Sequence, residues 1–148
     1  MAVTHRGSVS TECHRTVGGD VTVADVIDKA FAQMEQDHGT VEVLVSNAGV
    51  TGDALLMRMT EDQFTRVLDT NLTGAFRVAK RASKSMLRAR KGRLICVSSV
   101  VGLSGSAGQA NYAASKAGLG GVARSLARAR GSRRIAASGI GPGCGAHD

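Results

Sequence analysis

The sequence predicts an α/β protein built on a parallel sheet. Segments with helical apolar spacing alternate with short β-branched runs, in the order strand, helix, strand, helix, strand, helix. The runs Val41–Ser46 and Leu94–Ser98 are almost continuously apolar, as strands buried on both faces are. The stretches between them are long enough to cross over as helices, and such crossovers are right-handed.

Ala2–Thr4 reads as the end of a strand, and His5–Gly19 is polar and irregular. Val21–His38 reads as a helix. Thr22 is its expected cap, Val26, Ile27, Ala30, Phe31 and Met34 form one face, and Gly39 stops it. After the strand Val41–Ser46, Thr60 and Gln63 have capping-box spacing. They precede a long helical stretch carrying Phe64, Val67, Leu68, Leu72, Ala75, Ala79, Ala82 and Met86, with Gly92 as its expected end. The strand Leu94–Ser98 follows, then a Gly- and Ser-rich loop over Gly102–Gln109, then a small-residue helix over Asn111–Ala129. Gly118, Gly120 and Gly121 inside that helix suggest close packing, because glycine destabilises a helix that does not need it. Residues 131–148 are expected to form a weakly structured or divergent tail of a single domain spanning 1–148. Ile135–Ile140 is only weakly apolar there.

With 148 residues and 43% hydrophobic content, the chain can form one domain with a core. No apolar run is long enough to span a membrane, and polar residues at Thr4, His5 and Arg6 break any signal-peptide pattern. The expected location is the cytoplasm. Cys13, Cys96 and Cys144 have no metal-ligand spacing and cannot all pair, so no metal site is expected. Eleven of the twelve acids lie at or before Asp69, and fourteen of the nineteen basic residues at or after Arg77. The basic residues lie along helices without interleaved aromatics. A solvated face, or a surface for an acidic protein or phosphate-bearing substrate, therefore outranks nucleic acid.

The chemistry centres on Tyr112 and Lys116. They are four apart on a predicted helix, so both project from one face. An ammonium beside a phenol favours the phenolate, and such a tyrosine can exchange a proton with a developing alkoxide. Taken alone, Tyr-x-x-x-Lys is common by chance. Three further features accompany it. Ser99 ends a strand thirteen residues earlier, where its hydroxyl can meet a substrate carbonyl or simply belong to a loop. Asn71 interrupts the apolar pattern of the long helix, where it can satisfy a freed backbone group, hold a water or be a buried structural residue. Asn47-Ala48-Gly49 makes a small turn after a buried strand.

Together, Asn47-Ala48-Gly49, Asn71 within Asn-Leu-Thr-Gly, Ser99 and Tyr112-Ala-Ala-Ser-Lys116 resemble the short-chain dehydrogenase/reductase family. Leu56–Thr60, Asn71–Phe76 and Gln109–Gly118 are similar to 3-oxoacyl-[acyl-carrier-protein] reductases, and Ala2–Ser8 to the actinobacterial long-chain type. The resemblance implies a three-layer, Rossmann-like, doubly wound parallel sheet. It implies an oxidoreductase that uses NADPH to reduce 3-oxoacyl-[acyl-carrier-protein] in fatty-acid biosynthesis. Tyr112 is then the general acid, Lys116 its partner and a ribose ligand, Ser99 the carbonyl-orienting group and Asn71 a water holder in a proton relay. Arg6 would face the 2′-phosphate, Asp20 and Val21 the adenine, Asn47, Ala48 and Gly49 the adenosine, and Pro142 and Gly143 the nicotinamide. A homo-oligomer is implied, dimer or tetramer. An acidic acyl carrier protein is the implied partner of the basic stretch Arg88–Arg93.

The resemblance also implies segments not found here. The first strand, glycine-rich turn and helix, and the last strand, are expected to be missing, so the chain reads as a fragment with impaired cofactor binding. Gly118-Leu-Gly120 does not replace the turn, because it lies within a helix. The alternatives are another short-chain alcohol or ketone oxidoreductase, or an inactive product that pairs with a full-length homologue.

Overall fold

The computed structural model describes residues 17–130 and 135–141. Three strands, β1 (Val43–Ser46), β2 (Gly92–Val97) and β3 (Ile135–Ile140), form a parallel sheet in the order β1-β2-β3. Helix α1 (Ala24–His38) precedes β1. Helix α2 (Glu61–Leu68), a π turn (Asp69–Thr73) and α3 (Gly74–Ala89) link β1 to β2. Helices α4 (Val101–Ser104) and α5 (Ala110–Arg130) link β2 to β3. The predicted α/β, Rossmann-like class is the observed one.

Two right-handed connections that step the same way across a parallel sheet put their helices on one face. Register pairing aligns Leu44 with Leu94 and Ala137, and Ser46 with Cys96 and Gly139. The buried Leu44 and Leu94 meet Ile27, Ala30, Phe31 and Met34 of α1 and Val78, Ala79, Ala82 and Met86 of α3. Val43 and Val45 alternate with Leu44 and point the other way. Val45 remains 46% exposed. β1 was expected to be buried on both faces, and this is corrected: among the described residues, no helix covers its second face.

Local chemistry accounts for the element ends. Thr60 and Gln63 form the predicted capping box: Thr60 Oγ1 accepts from Gln63 N–H, and Gln63 Oε1 accepts from Thr60 N–H. Gly39 ends α1 at φ 80°, donating its N–H to Glu35 O. Three expected boundaries are corrected. The cap of α1 is Val23, which makes no side-chain bond, because the Thr22 hydroxyl donates to Asp20 instead. The long helix ends at Arg90, in the left-handed region at φ 51°. Gly92 instead opens β2, and a Cβ there would lie 2.5 Å from Met86 Sδ. The loop expected over Gly102–Gln109 begins inside α4.

The weakly apolar Ile135–Ile140 pairs with β2 along its whole length. Ala137 and Gly139 are small where α5 crosses, and a Cβ on Gly139 would sit 3.7 Å from Ala123 Cβ. Among the described residues, no helix is long and apolar enough to cross a membrane.

Candidate active site

In a parallel sheet, ligands collect beyond the carboxyl ends of the strands. Here that edge holds Asn47–Val50 after β1, Ser98 and Ser99 after β2, and Gly141 after β3. A Cβ on Gly141 would lie 3.8 Å from the Ser99 carbonyl carbon, so the last two ends adjoin.

Asn71 sits in the π turn and is fully buried. Its Oδ1 accepts from Val50 N–H at 2.7 Å, and its Nδ2 donates to Val50 O at 3.0 Å. The second Nδ2 hydrogen goes to Ser115 Oγ at 3.1 Å. The residue that broke the helical pattern thus pins the loop after β1. The π turn is where its side chain leaves the helical repeat, as such turns commonly do at functional sites. Gly49 is held against it, since a Cβ there would lie 3.3 Å from Asn71 Oδ1.

Lys116 is 4% exposed, and its Nζ donates to Val97 O at 2.8 Å. The ammonium lies 5.6 Å from the centroid of the Tyr112 ring, within the range of a favourable cation–π contact. Burial lowers the pKa of Lys116 below the ordinary lysine value, with Cys96 opposing. Burial pushes the Cys96 thiol up, and Lys116 draws it back. Tyr112 is half-buried on the same helix.

Ser99 Oγ accepts from Val101 N–H at 3.3 Å, which leaves the hydroxyl hydrogen free to donate. Ser98 Oγ donates to Lys116 O at 2.8 Å. Gly102 of α4 lies on the same backbone, where a Cβ would be 2.8 Å from Ala117 N. These contacts bind the end of β2 to the turn of α5 that carries Lys116. Tyr112, Lys116, Ser99 and Asn71 therefore gather around the end of β2 and the first turns of α5.

The residues expected beside the adenosine form a second group. Asp20 is exposed, and its Oδ1 accepts from the backbone N–H and hydroxyl of Thr22, each at 2.8 Å. Those bonds hold its carboxyl below the usual range. Val21 is buried against Gly74, and with Val45, Asn47 and Ala48 it lines an open cleft of about 390 Å³. Arg6, Pro142 and Gly143 lie outside the described residues.

Asn111 and Ser115, which are not among the residues expected from the sequence, are both fully buried. Asn111 Nδ2 donates to Gly52 O at 2.9 Å, and its Oδ1 accepts from Tyr112 N–H at 2.8 Å. Asn111 and Ser115 are four apart and share a face with Leu119, a polar break in an otherwise apolar stripe that could have marked them.

The sequence matches the short chain dehydrogenase family over residues 4–146. The chain belongs to the short-chain dehydrogenase family. By family it is therefore an oxidoreductase. Its similarity extends to the 3-oxoacyl-[acyl-carrier-protein] reductase MabA of Mycobacterium tuberculosis, at 54% identity over 97% of this chain and 58% of that protein. The MabA of Mycobacterium avium is 52% identical over 97% of this chain and 56% of its own length. The 3-oxoacyl-[acyl-carrier-protein] reductase FabG of Salmonella typhimurium is 45% identical over 84% of this chain and 51% of its own length. This dehydrogenase chain thus spans between half and three-fifths of the curated relatives it matches.

Proposed function

We propose that the chain carries the proton-transfer machinery for NADPH-dependent reduction of 3-oxoacyl-[acyl-carrier-protein] to 3-hydroxyacyl-[acyl-carrier-protein] in fatty-acid biosynthesis. One observation carries the reading: a buried ammonium, anchored to a strand-end carbonyl, lies over the ring of the Tyr112 side chain. The names of the relatives support the substrate class.

The residues present fit a dinucleotide's adenosine end. The small residues Ala48 and Gly74 leave open the cleft beside Val21, and the carboxylate of the preceding Asp20 is held in place by Thr22. Asp20, Val21, Asn47, Ala48 and Gly49 would hold that end, and Tyr112 and Lys116 the nicotinamide ribose. When bound, the reduced nicotinamide supplies a hydride. Within these 148 residues Gly118-Leu-Gly120 lies inside α5, and no glycine-rich turn between a described strand and helix cradles a pyrophosphate.

The protein groups divide the remaining work. Ser99 donates its free hydroxyl hydrogen to the substrate carbonyl and orients it. Tyr112 gives its phenolic proton to the oxygen as alkoxide character develops. Lys116 keeps two ammonium hydrogens beyond the one given to Val97, and its charge stabilises the phenolate left behind. Asn71 holds the Val50 segment against this site and, in this reading, a water that leads to Lys116.

We place the enzyme in the cytoplasm and in a dimer or tetramer, and dock an acidic acyl carrier protein at the exposed Arg88 and Arg90 that end α3. Reversing both charges, Arg88→Glu with Arg90→Glu, is expected to raise KM about tenfold for a carrier-linked 3-oxoacyl substrate and leave that of a small thioester unchanged. Steady-state kinetics on both substrates checks this. Equal effects remove the docking site, and turnover of simple ketones without thioester turnover removes the substrate class.

A further inference from the structure

Ser115 is fully buried in α5, one residue before Lys116. Its hydroxyl has one hydrogen, which goes to Tyr112 O at 2.8 Å. Its lone pair accepts from Asn71 Nδ2 at 3.1 Å. In an α-helix the Tyr112 carbonyl is also the acceptor for Lys116 N–H. Ser115 therefore bonds to the one backbone group that both chemical residues share.

We propose that Ser115 is a positioning residue that transmits the Asn71 clamp to the turn carrying Tyr112 and Lys116. The path runs from the backbone of Val50 to Asn71, then to Ser115, then to the Tyr112 carbonyl. It joins the loop after β1, the π turn and the early turns of α5, beside the separate bond from Asn111 Nδ2 to Gly52 O. An apolar contact runs beside it, where a Cβ on Gly118 would meet Leu72 Cδ2 at 2.8 Å. That contact sets how closely α5 approaches. It does not fix the rotation of α5 about its own axis, because a leucine methyl against a glycine face has no preferred direction. The Asn71–Ser115 bond is directional and, together with the Asn111 bonds to Gly52 O and Gln63 O, fixes that rotation, and with it where the Tyr112 ring points.

The inference rests on the reading of Tyr112 as proton donor, but its test uses no turnover. Tyr112 is the sole tyrosine and the chain has no tryptophan, so the tyrosine band of near-ultraviolet circular dichroism reports on this side chain. The full 148-residue chain is compared with Ser115→Ala, Asn71→Ala and the double variant. Ser115→Ala is expected to lose most of the tyrosine band while the far-ultraviolet spectrum stays unchanged. Asn71→Ala is expected to do the same, and the double variant to lose no more than either alone, since both cut one path. Ser115→Thr, which keeps the hydroxyl, is expected to restore the band. A full tyrosine band in Ser115→Ala, or additive losses in the double variant, overturns the proposal. If Ser115→Ala does not fold, Ser115→Cys provides the comparison with its weak donor, and an undiminished band there is equally decisive. A chain without reductase activity would sink the functional reading and leave this result standing.

Discussion

Lys116 keeps its charge where burial opposes it. The penalty lowers its pKa from 10.5 in the folded chain, with burial the larger cause and Cys96 the opposing one. The folded state therefore binds this proton less tightly than the unfolded state does. At pH values below the folded pKa both states are protonated, and the penalty is felt in full. As pH rises through the folded pKa towards 10.5, the folded chain sheds the proton first and gains stability. Urea unfolding across that window is expected to show wild type gaining stability relative to Lys116→Met. A flat difference would mean that the ammonium is not desolvated as described. Cys96 is present in both chains, so its opposite dependence cancels to first order. At this scale the sequence singles out Tyr112, Lys116, Ser99 and Asn71 as a set that resembles a family's motifs, since the Tyr112–Lys116 spacing alone is common by chance. Asn71 announced itself as a polar break in an apolar helix, and the structure explains the break as a π turn. Ser115 is marked in the sequence only by its four-residue spacing from Asn111 on the face of Leu119, and its burial shows only in the folded chain.

The seam between α1 and α3 depends on one arginine. Arg81 Nε meets Asp28 at 3.1 Å, Nη2 meets Glu35 at 2.7 Å, and the guanidinium lies 5.1 Å from the Phe31 ring centroid. Ser85 adds a hydrogen bond to Glu35. Arg81→Ala removes the cation and leaves two carboxylates and an aromatic face without their partner. It is expected to cost about 2 kcal/mol, between the range for exposed pairs and that for buried ones. Arg81 is the main cause holding the Glu35 carboxyl below its ordinary 4.5. A depressed carboxylate pKa contributes stability above the unfolded value, and this is lost as pH falls through the folded one. Wild type should therefore lose stability in the acid range, and Arg81→Ala should lose less, with urea midpoints at each pH as the check. Equal acid slopes would contradict the role given to Arg81. Helix identities were legible from periodicity, and the Thr60–Gln63 box from residue type. The strand β3 was not legible, because Ala137 and Gly139 are weak strand formers. Their small size suits the crossing of α5, which only the folded chain displays. The four-residue α4 was likewise hidden in a run of Gly and Ser.

Across the whole molecule, the described residues supply a parallel sheet with helices on one face and a site at its carboxyl edge. The order of elements was legible, because the connections in a parallel sheet follow from alternation and handedness. The coverage of the second sheet face was not, because continuous apolar runs such as Val41–Ser46 describe strands that something else covers. The relatives are longer than this chain, and its reductase activity is the proposal that most needs a test. In the proposed reaction, Tyr112 delivers the proton to the reduced carbonyl. The direct measurement is NADPH oxidation by the chain with a small 3-oxoacyl thioester, at millimolar NADPH, compared with Tyr112→Phe. Loss of a positioned general acid reduces rates by about 100-fold or more. Wild type is expected to show thioester-dependent NADPH oxidation that falls at least that far in Tyr112→Phe. Equal rates in the two chains would contradict it.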